Sequence, residues 1–152
     1  MLVKKISSVI LPVLLFAWEF PQIIVGLGVY AWMKTRQMVV HVEFEKYRVF
    51  IETRKTGVSL GWFIFWTPAG NRFAELTNDC RMHEYGHARQ SAMLGPLYLL
   101  VVGIPSVMRV LYSKWYYRKY GRNWTRYFDG FPENWADRLG CVPDQVKRKA
   151  NL

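Results

Sequence analysis

Two histidines and a glutamate stand at the spacing that a zinc hydrolase uses. His83-Glu84-Tyr85-Gly86-His87 reads H-E-x-x-H. On a helix, positions i and i+4 share a face, so His83 and His87 can offer both imidazoles to one metal ion. Glu84 can then reach a zinc-bound water and take its proton. The chain has only three histidines, and two of them lie in this pentapeptide. The competing reading is a pair of surface or capping histidines beside a solvated glutamate.

A second patch supplies what the first lacks. Asp129-Gly130 reads as a turn, Pro132 suits a first helical position, and Gly140 suits a helix stop. Glu133 and Asp137, between them, are i and i+4 and share a face. A catalytic zinc takes three protein ligands and keeps a fourth position open. His83, His87 and Glu133 make that set, for one Zn2+ per chain. Asp137 can accept a hydrogen bond from the outer N–H of a ligating histidine.

H-E-x-x-H followed by E-x-x-A-D resembles the gluzincin pattern of membrane zinc proteases, the class of the CAAX prenyl proteases and the HtpX-like bacterial heat-shock proteases. The resemblance implies that Glu133 is the third zinc ligand and that Asp137 supports a zinc histidine. It covers these two patches, and the chain is much shorter than those proteases. It further implies an edge strand above the metal that binds extended substrate; Gly61 to Phe65 is the candidate, with a plain core strand the equal alternative. More of the chain is similar to short bacterial membrane proteins of a type associated with Bacteroidota. That likeness runs through Trp18-Glu19-Phe20-Pro21-Gln22, Val58-Ser59-Leu60-Gly61, the motif helix, Gly95-Pro96-Leu97-Tyr98 through Gly103-Ile104-Pro105-Ser106, and the Glu133 helix. It implies a membrane setting.

The elements that must hold these residues are read from hydropathy. The 152 residues make one domain, 51% hydrophobic and 16% aromatic, with a net charge of +10. That composition excludes disorder. A basic chain favours anionic partners, and the long apolar runs favour anionic headgroups of a bilayer over nucleic acid. Cys80 and Cys141 set no disulfide framework and read as two thiols.

Residues 1–33 read as an N-terminal membrane segment, apolar from Ile6 to Trp18 and again from Ile23 to Met33. Glu19, Pro21 and Gln22 interrupt it, so a hairpin or re-entrant element is expected, with Glu19 at a helix end near the headgroups. Residues 39–66 predict a small antiparallel sheet: Val39 to Thr53 alternates with a turn or bulge near Glu45-Lys46, Arg54-Lys55-Thr56-Gly57 turns, and Val58 to Trp66 is a further strand. His41, in its first strand, is not expected to bind metal. The motif helix is expected over 77–94, capped by Thr77-Asn78-Asp79. Residues 95–112 form a second apolar segment, where Gly95, Pro96, Gly103 and Pro105 predict a second re-entrant element or shallow helical hairpin. Residues 113–152 are basic and aromatic and carry the Glu133 helix. Their first part reads as a membrane-interface belt, and the Lys147-Arg148-Lys149 tail as a solvated end.

The fold class expected is therefore α+β, with membrane-associated helices, a small sheet and an H-E-x-x-H helix. Nine Lys and Arg lie between Lys34 and Arg89, and ten from Arg109 onward. Single crossings by both apolar regions would put a strongly basic block outside, against the positive-inside rule. Hairpins returning to one side avoid this. They put the sheet and the site on the cytoplasmic face of a membrane, the inner membrane for a bacterial protein. The expected activity is zinc-dependent hydrolysis of a membrane-presented peptide or protein. Glu84 would be the base, and Tyr112, Tyr116, Tyr117, Arg118 or Tyr127 the oxyanion donor. The rivals are a non-catalytic zinc-stabilised membrane protein and a basic membrane-surface or nucleic-acid-binding module.

Overall fold

The computed structural model describes residues 2–54, 56–68 and 80–143, with side chains from Ile10 onward. The architecture is α+β: five α-helices and one four-stranded sheet. The capping residues expected at Thr77 to Asp79 and the basic tail lie outside the described residues.

The N-terminal apolar run forms α1 (Leu2–Trp18) and α2 (Phe20–Thr35). Glu19 stands at the joint and Pro21 opens α2, where a missing N–H costs nothing. The two axes bend by 81°, an elbow of the kind a re-entrant element or a broken span makes, and not a tight hairpin. Glu19 does not sit at a solvated helix end: it is fully buried. Its carboxylate accepts from Ser91 at 2.6 Å and faces the Arg48 guanidinium at 3.8 Å. A charge at that depth must be paired, and Arg48 from the sheet supplies the partner. Among the described residues no single helix is long and apolar enough to cross a membrane; the bent pair Ile10–Trp18 and Phe20–Thr35 has the length and composition only when its two parts are taken together.

The sheet contains β1 (Val39–Glu45), β2 (Arg48–Thr53), β3 (Val58–Leu60) and β4 (Phe63–Trp66) in the order β1-β2-β4-β3. It is mixed, since β4 runs parallel to β2, whereas an all-antiparallel sheet was expected. Phe63-Ile64-Phe65-Trp66 is wholly apolar, and Ile64 and Phe65 have no exposure, so this strand takes an interior place. The Gly61-Trp62 turn, with Gly61 at φ +61°, folds β3 back outside it. The edge strands are thus β1 and β3, β3 being the one against the motif helix, and Phe63 to Phe65 lies in the interior strand. Ile51, Phe65 and Met33 form the core between α2 and the sheet, each side chain contributing about 1.5–3 kcal/mol.

The motif lies on α3 (Cys80–Leu94), whose Ala88 packs on Phe50 and Ile64 of the sheet. Gly95, at φ +52°, ends α3, and the Trp18 indole lies where its Cβ would be. No second hairpin forms among the described residues. A 3-10 turn (Gly95–Leu97) and a π turn (Leu99–Gly103) lead into α4 (Ile104–Tyr120). Gly103 keeps helical dihedrals, and Pro105 falls in the first turn of α4, where proline is tolerated, so neither turns the chain back. Gly121, left-handed at φ 68°, stops α4. The Glu133 helix is α5 (Glu133–Gly140), with Pro132 one position ahead of its first turn.

Candidate metal centre

Two glycines bring α5 onto α3. A Cβ on Gly86 would land on the Ala136 carbonyl, and one on Gly140 would land on the Met82 carbonyl. The helices therefore touch backbone to backbone, as small residues allow. Gly86 is the second variable position of the motif, so the pentapeptide itself carries the packing surface for the third ligand.

At this contact His83, His87 and Glu133 converge. One ligand atom from each lies within 4.8 Å of the others. Glu133 Oε2 is 3.0 Å from His83 Nε2 and 3.2 Å from His87 Nε2. A tetrahedral zinc at about 2.0–2.1 Å from each ligand spaces its ligands by roughly 3.3 Å. The two Glu133–imidazole distances lie close to that spacing, so the donor set could hold such an ion, and all three residues are buried.

The outer atoms of the ligands are held too. His83 Nδ1 is 2.7 Å from Asp137 Oδ1, the contact expected of Asp137. His87 Nδ1 is 2.7 Å from Gln90 Oε1, and the Gln90 amide donates to the Pro132 carbonyl at 3.0 Å. Ser106 of α4 donates to Glu133 Oε1 at 2.7 Å, leaving Oε2 for the centre. Such partners fix ring orientation and ligand basicity. Gln90 and Ser106 escaped the sequence reading. Gln90 is three residues past His87 on the same helix face, a signal that could have found it. Ser106 reaches the site only through the tertiary fold.

Glu84 is buried on the β3 side of the centre. The Ser59 hydroxyl lies 2.9 Å from Glu84 Oε2, and a Cβ on Gly57 would meet Oε1. The edge strand is thus flush against this carboxylate. The Tyr98 hydroxyl donates to the Ser59 carbonyl at 2.8 Å and braces the strand from the other side.

Burial opposes charge on His83, but hydrogen bonds to Asp137 and Glu133 outweigh it and push the imidazole up to about 10. Burial likewise opposes the Glu133 carboxylate, and the His87 and His83 rings outweigh it, holding the acid well below its usual range. Burial dominates at Glu84 and raises its carboxyl, with the His87 and His83 rings pulling the other way. Burial beside Glu84 also pushes the Cys80 thiol up to about 12. Cys80 and Cys141 are free thiols, as expected.

His83, Glu84, His87 and Glu133 line one end of a cavity of about 610 Å³. Tyr127 lines it as well. Tyr112, Tyr116, Tyr117 and Arg118 are not in its wall. Tyr112 and Tyr116 belong to an aromatic group with Trp115, Trp124 and Tyr120, and Arg118 is exposed. The segment bearing Tyr127 is pinned by Arg109, which donates to the Tyr127 carbonyl at 2.9 Å and stacks over Trp124. His41 is exposed on β1 and stands outside the metal group. No family model, curated protein or solved structure matches this chain.

Proposed function

We propose that this protein is a membrane-associated zinc metallopeptidase of gluzincin type. The observation that carries the reading is the buried His83–His87–Glu133 group opening on a cavity that Glu84 also lines. Its donor set of two imidazoles and one carboxylate is that of hydrolytic zinc sites. A zinc ion held there polarises the scissile carbonyl and brings the pKa of water toward neutrality.

The chain's own residues supply the rest. Glu84, with its raised carboxyl, accepts the proton of the attacking water. The water oxygen bonds to the carbonyl carbon, the C–N bond breaks, and Glu84 passes its proton to the leaving nitrogen. Ser59 and Gly57 hold Glu84 at the base of the cavity. Asp137 and Gln90 keep both imidazoles turned with Nε2 inward. Tyr127 is the oxyanion candidate that lines the cavity, and its phenol is kept protonated by burial and by the Glu133 and Glu84 charges.

The apolar surface supports the membrane part of the reading. Ile10, Leu14 and Phe16 of α1, Ile24 and Leu27 of α2, and Ile104, Met108 and Leu111 of α4 are all large, apolar and exposed. Patches of that extent mark an interaction surface or a membrane contact. The α1–α2 elbow would lie in the cytoplasmic half of the bilayer, with the site facing the cytoplasm.

The test is elemental analysis of detergent-purified protein, with peptide hydrolysis assayed on the same samples. We expect one zinc per chain, lost in His83→Ala and Glu133→Ala, and hydrolysis lost in Glu84→Gln with zinc retained. Zinc at full occupancy with undiminished turnover in Glu84→Gln would leave the metal a purely structural role.

A further inference from the structure

We propose that Tyr98 is a specificity-determining residue: it closes the edge strand β3 to the main chain of a substrate, so that a peptide is held by its side chains against an apolar wall. The proposal rests on the peptidase reading above. Leu60 and Phe63 flank the Gly61-Trp62 turn and form the closing pair of the β3–β4 hairpin. A closing pair exchanges both hydrogen bonds, and the next residue along turns its own groups outward. Ser59 therefore points its N–H and C=O away from β4, toward the side where a further strand would pair. That carbonyl is already taken. The Tyr98 hydroxyl donates to it at 2.8 Å, from a side chain that is itself buried. Past the end of the strand the Gly61 carbonyl is taken as well, by Arg48 at 2.7 Å.

An added strand lies about 4.8 Å away and brings an N–H to within about 2.9 Å of each outward carbonyl, whether it runs parallel or antiparallel. At Ser59 that place holds the phenol oxygen. Among the described residues this leaves Gly57, whose carbonyl meets the Thr56 hydroxyl at a long 3.4 Å. A ladder needs acceptors two residues apart, and one acceptor does not make it. Ser59 and Tyr98 both line the cavity, so the obstruction lies where a substrate passes. Along α2 and the first half of α4 the wall is largely aliphatic, with Val25, Ile104, Val107 and Leu111. Burying one aliphatic side chain favours binding by roughly tenfold or more, and one main-chain hydrogen bond by roughly two- to tenfold. With the edge closed, side chains decide which peptide is held.

The experiment uses zinc-loaded protein in detergent micelles and one leucine-rich peptide, methylated in turn at each backbone nitrogen except the scissile one. Cleavage is read by mass spectrometry. In the wild type we expect no two sensitive amides two residues apart. Replacing a leucine beside the cut by serine should lower kcat/KM more than tenfold, and more than any methylation does. Tyr98→Phe keeps the ring and frees the Ser59 carbonyl. A new sensitive amide should then appear, its methylation lowering kcat/KM roughly three- to tenfold, with zinc content intact. A loosened brace alone would slow all the peptides alike. A second arm measures binding of the same peptides, dye-labelled, to the Glu84→Gln protein and to its Tyr98→Phe derivative by fluorescence anisotropy. Cleavage with two sensitive amides two residues apart in the wild type overturns the proposal and leaves the peptidase reading standing. So does cleavage by Tyr98→Phe with no new sensitive amide. No cleavage, with the new sensitive amide appearing in the binding arm, upholds the closed edge and removes the peptidase reading. A peptide neither cleaved nor bound overturns both. If Tyr98→Phe does not fold, the wild-type scan decides alone: paired sensitive amides exclude a closed edge, and their absence beside the serine loss upholds it.

Discussion

Helix α3 carries two buried polar clusters, one at its middle and one toward its C-terminal end, and the two are built for opposite purposes. The first holds His83, His87, Glu133 and Asp137, with Glu84 beside them. The second holds Glu19, Gln22, Arg48 and Ser91. All are buried, so burial alone does not tell a site from a strut. Charge balance does. The second cluster has one carboxylate and one guanidinium, and Arg48 spends its remaining donors on the Gly61 and Ala88 carbonyls at 2.7 and 3.0 Å. It ties the α1–α2 elbow, the sheet and α3 together and needs no ion. The first cluster has three carboxylates, two imidazoles and, among the described residues, no Lys or Arg in its polar contacts. Its ligand atoms point at one another, an arrangement a divalent cation relieves.

The sharpest way to break this contrast is at Glu84. Glu84→Gln keeps the shape and removes the base, so hydrolysis of a cleavable peptide should fall by about 10²–10⁴-fold. Zinc content should stay at one per chain. An equal fall in metal would mean that Glu84 belongs with the ligands, and the proposed division of roles would collapse.

The strut is tested through Arg48. Arg48→Met leaves Glu19 charged and unpaired at zero exposure, and should cost about 3–5 kcal/mol in urea unfolding. Adding Glu19→Gln should recover part of that loss, because the orphaned charge is gone. Zinc stoichiometry should be unchanged in whichever variants stay folded. Loss of zinc from a folded Arg48→Met protein would join the two clusters into one functional unit.

The same contrast explains what the sequence disclosed. His83, Glu84 and His87 were legible because the helical period brings them together within five residues. Glu133 and Asp137 were legible by the same spacing plus the family resemblance. The Glu19–Arg48 pair was not, because its partners are separated by an elbow and a strand. No local period links position 19 to 48 or to 91. Ser59 and Ser106 were hidden for the same reason. β1 and β2 were found by their alternation, but Val58 to Trp66 read as one strand where the chain makes β3, a turn and β4, and the order β1-β2-β4-β3 was not legible. A three-residue strand such as β3 gives almost no periodic signal, and the place of β4 follows from its packing on Ala88 of α3.

A smaller effect is expected at Asp137. It touches His83 through Nδ1 and no other ligand, so Asp137→Asn should weaken zinc affinity by about 10–100-fold without abolishing the site. Competition with a chelator of known affinity would measure it. Gln90→Ala should act in the same direction through His87. An unchanged affinity in both variants would show that the centre is held by packing at Gly86 and Gly140 alone.

The smallest effect is a proton. In the metal-free protein His83 titrates near 10 instead of its ordinary 6.5, because Asp137 and Glu133 bond the imidazolium. The folded state therefore holds a proton that the unfolded chain releases. The resulting stability is complete below about pH 6.5 and is lost as pH rises toward 10, at up to about 1.4 kcal/mol per pH unit. Zinc needs the neutral ring, so binding near pH 7.5 should expel about one proton from His83. Glu133 contributes none there, since its depressed carboxyl is already ionised. Calorimetric titrations with zinc in buffers of different ionisation enthalpy would count that proton. The stabilisation that zinc gives should grow from pH 6.5 to 8.5 as its proton competitor is removed. No proton release at pH 7.5 would mean that His83 is already neutral beside Asp137, and the charge argument that separates the two clusters would lose its support.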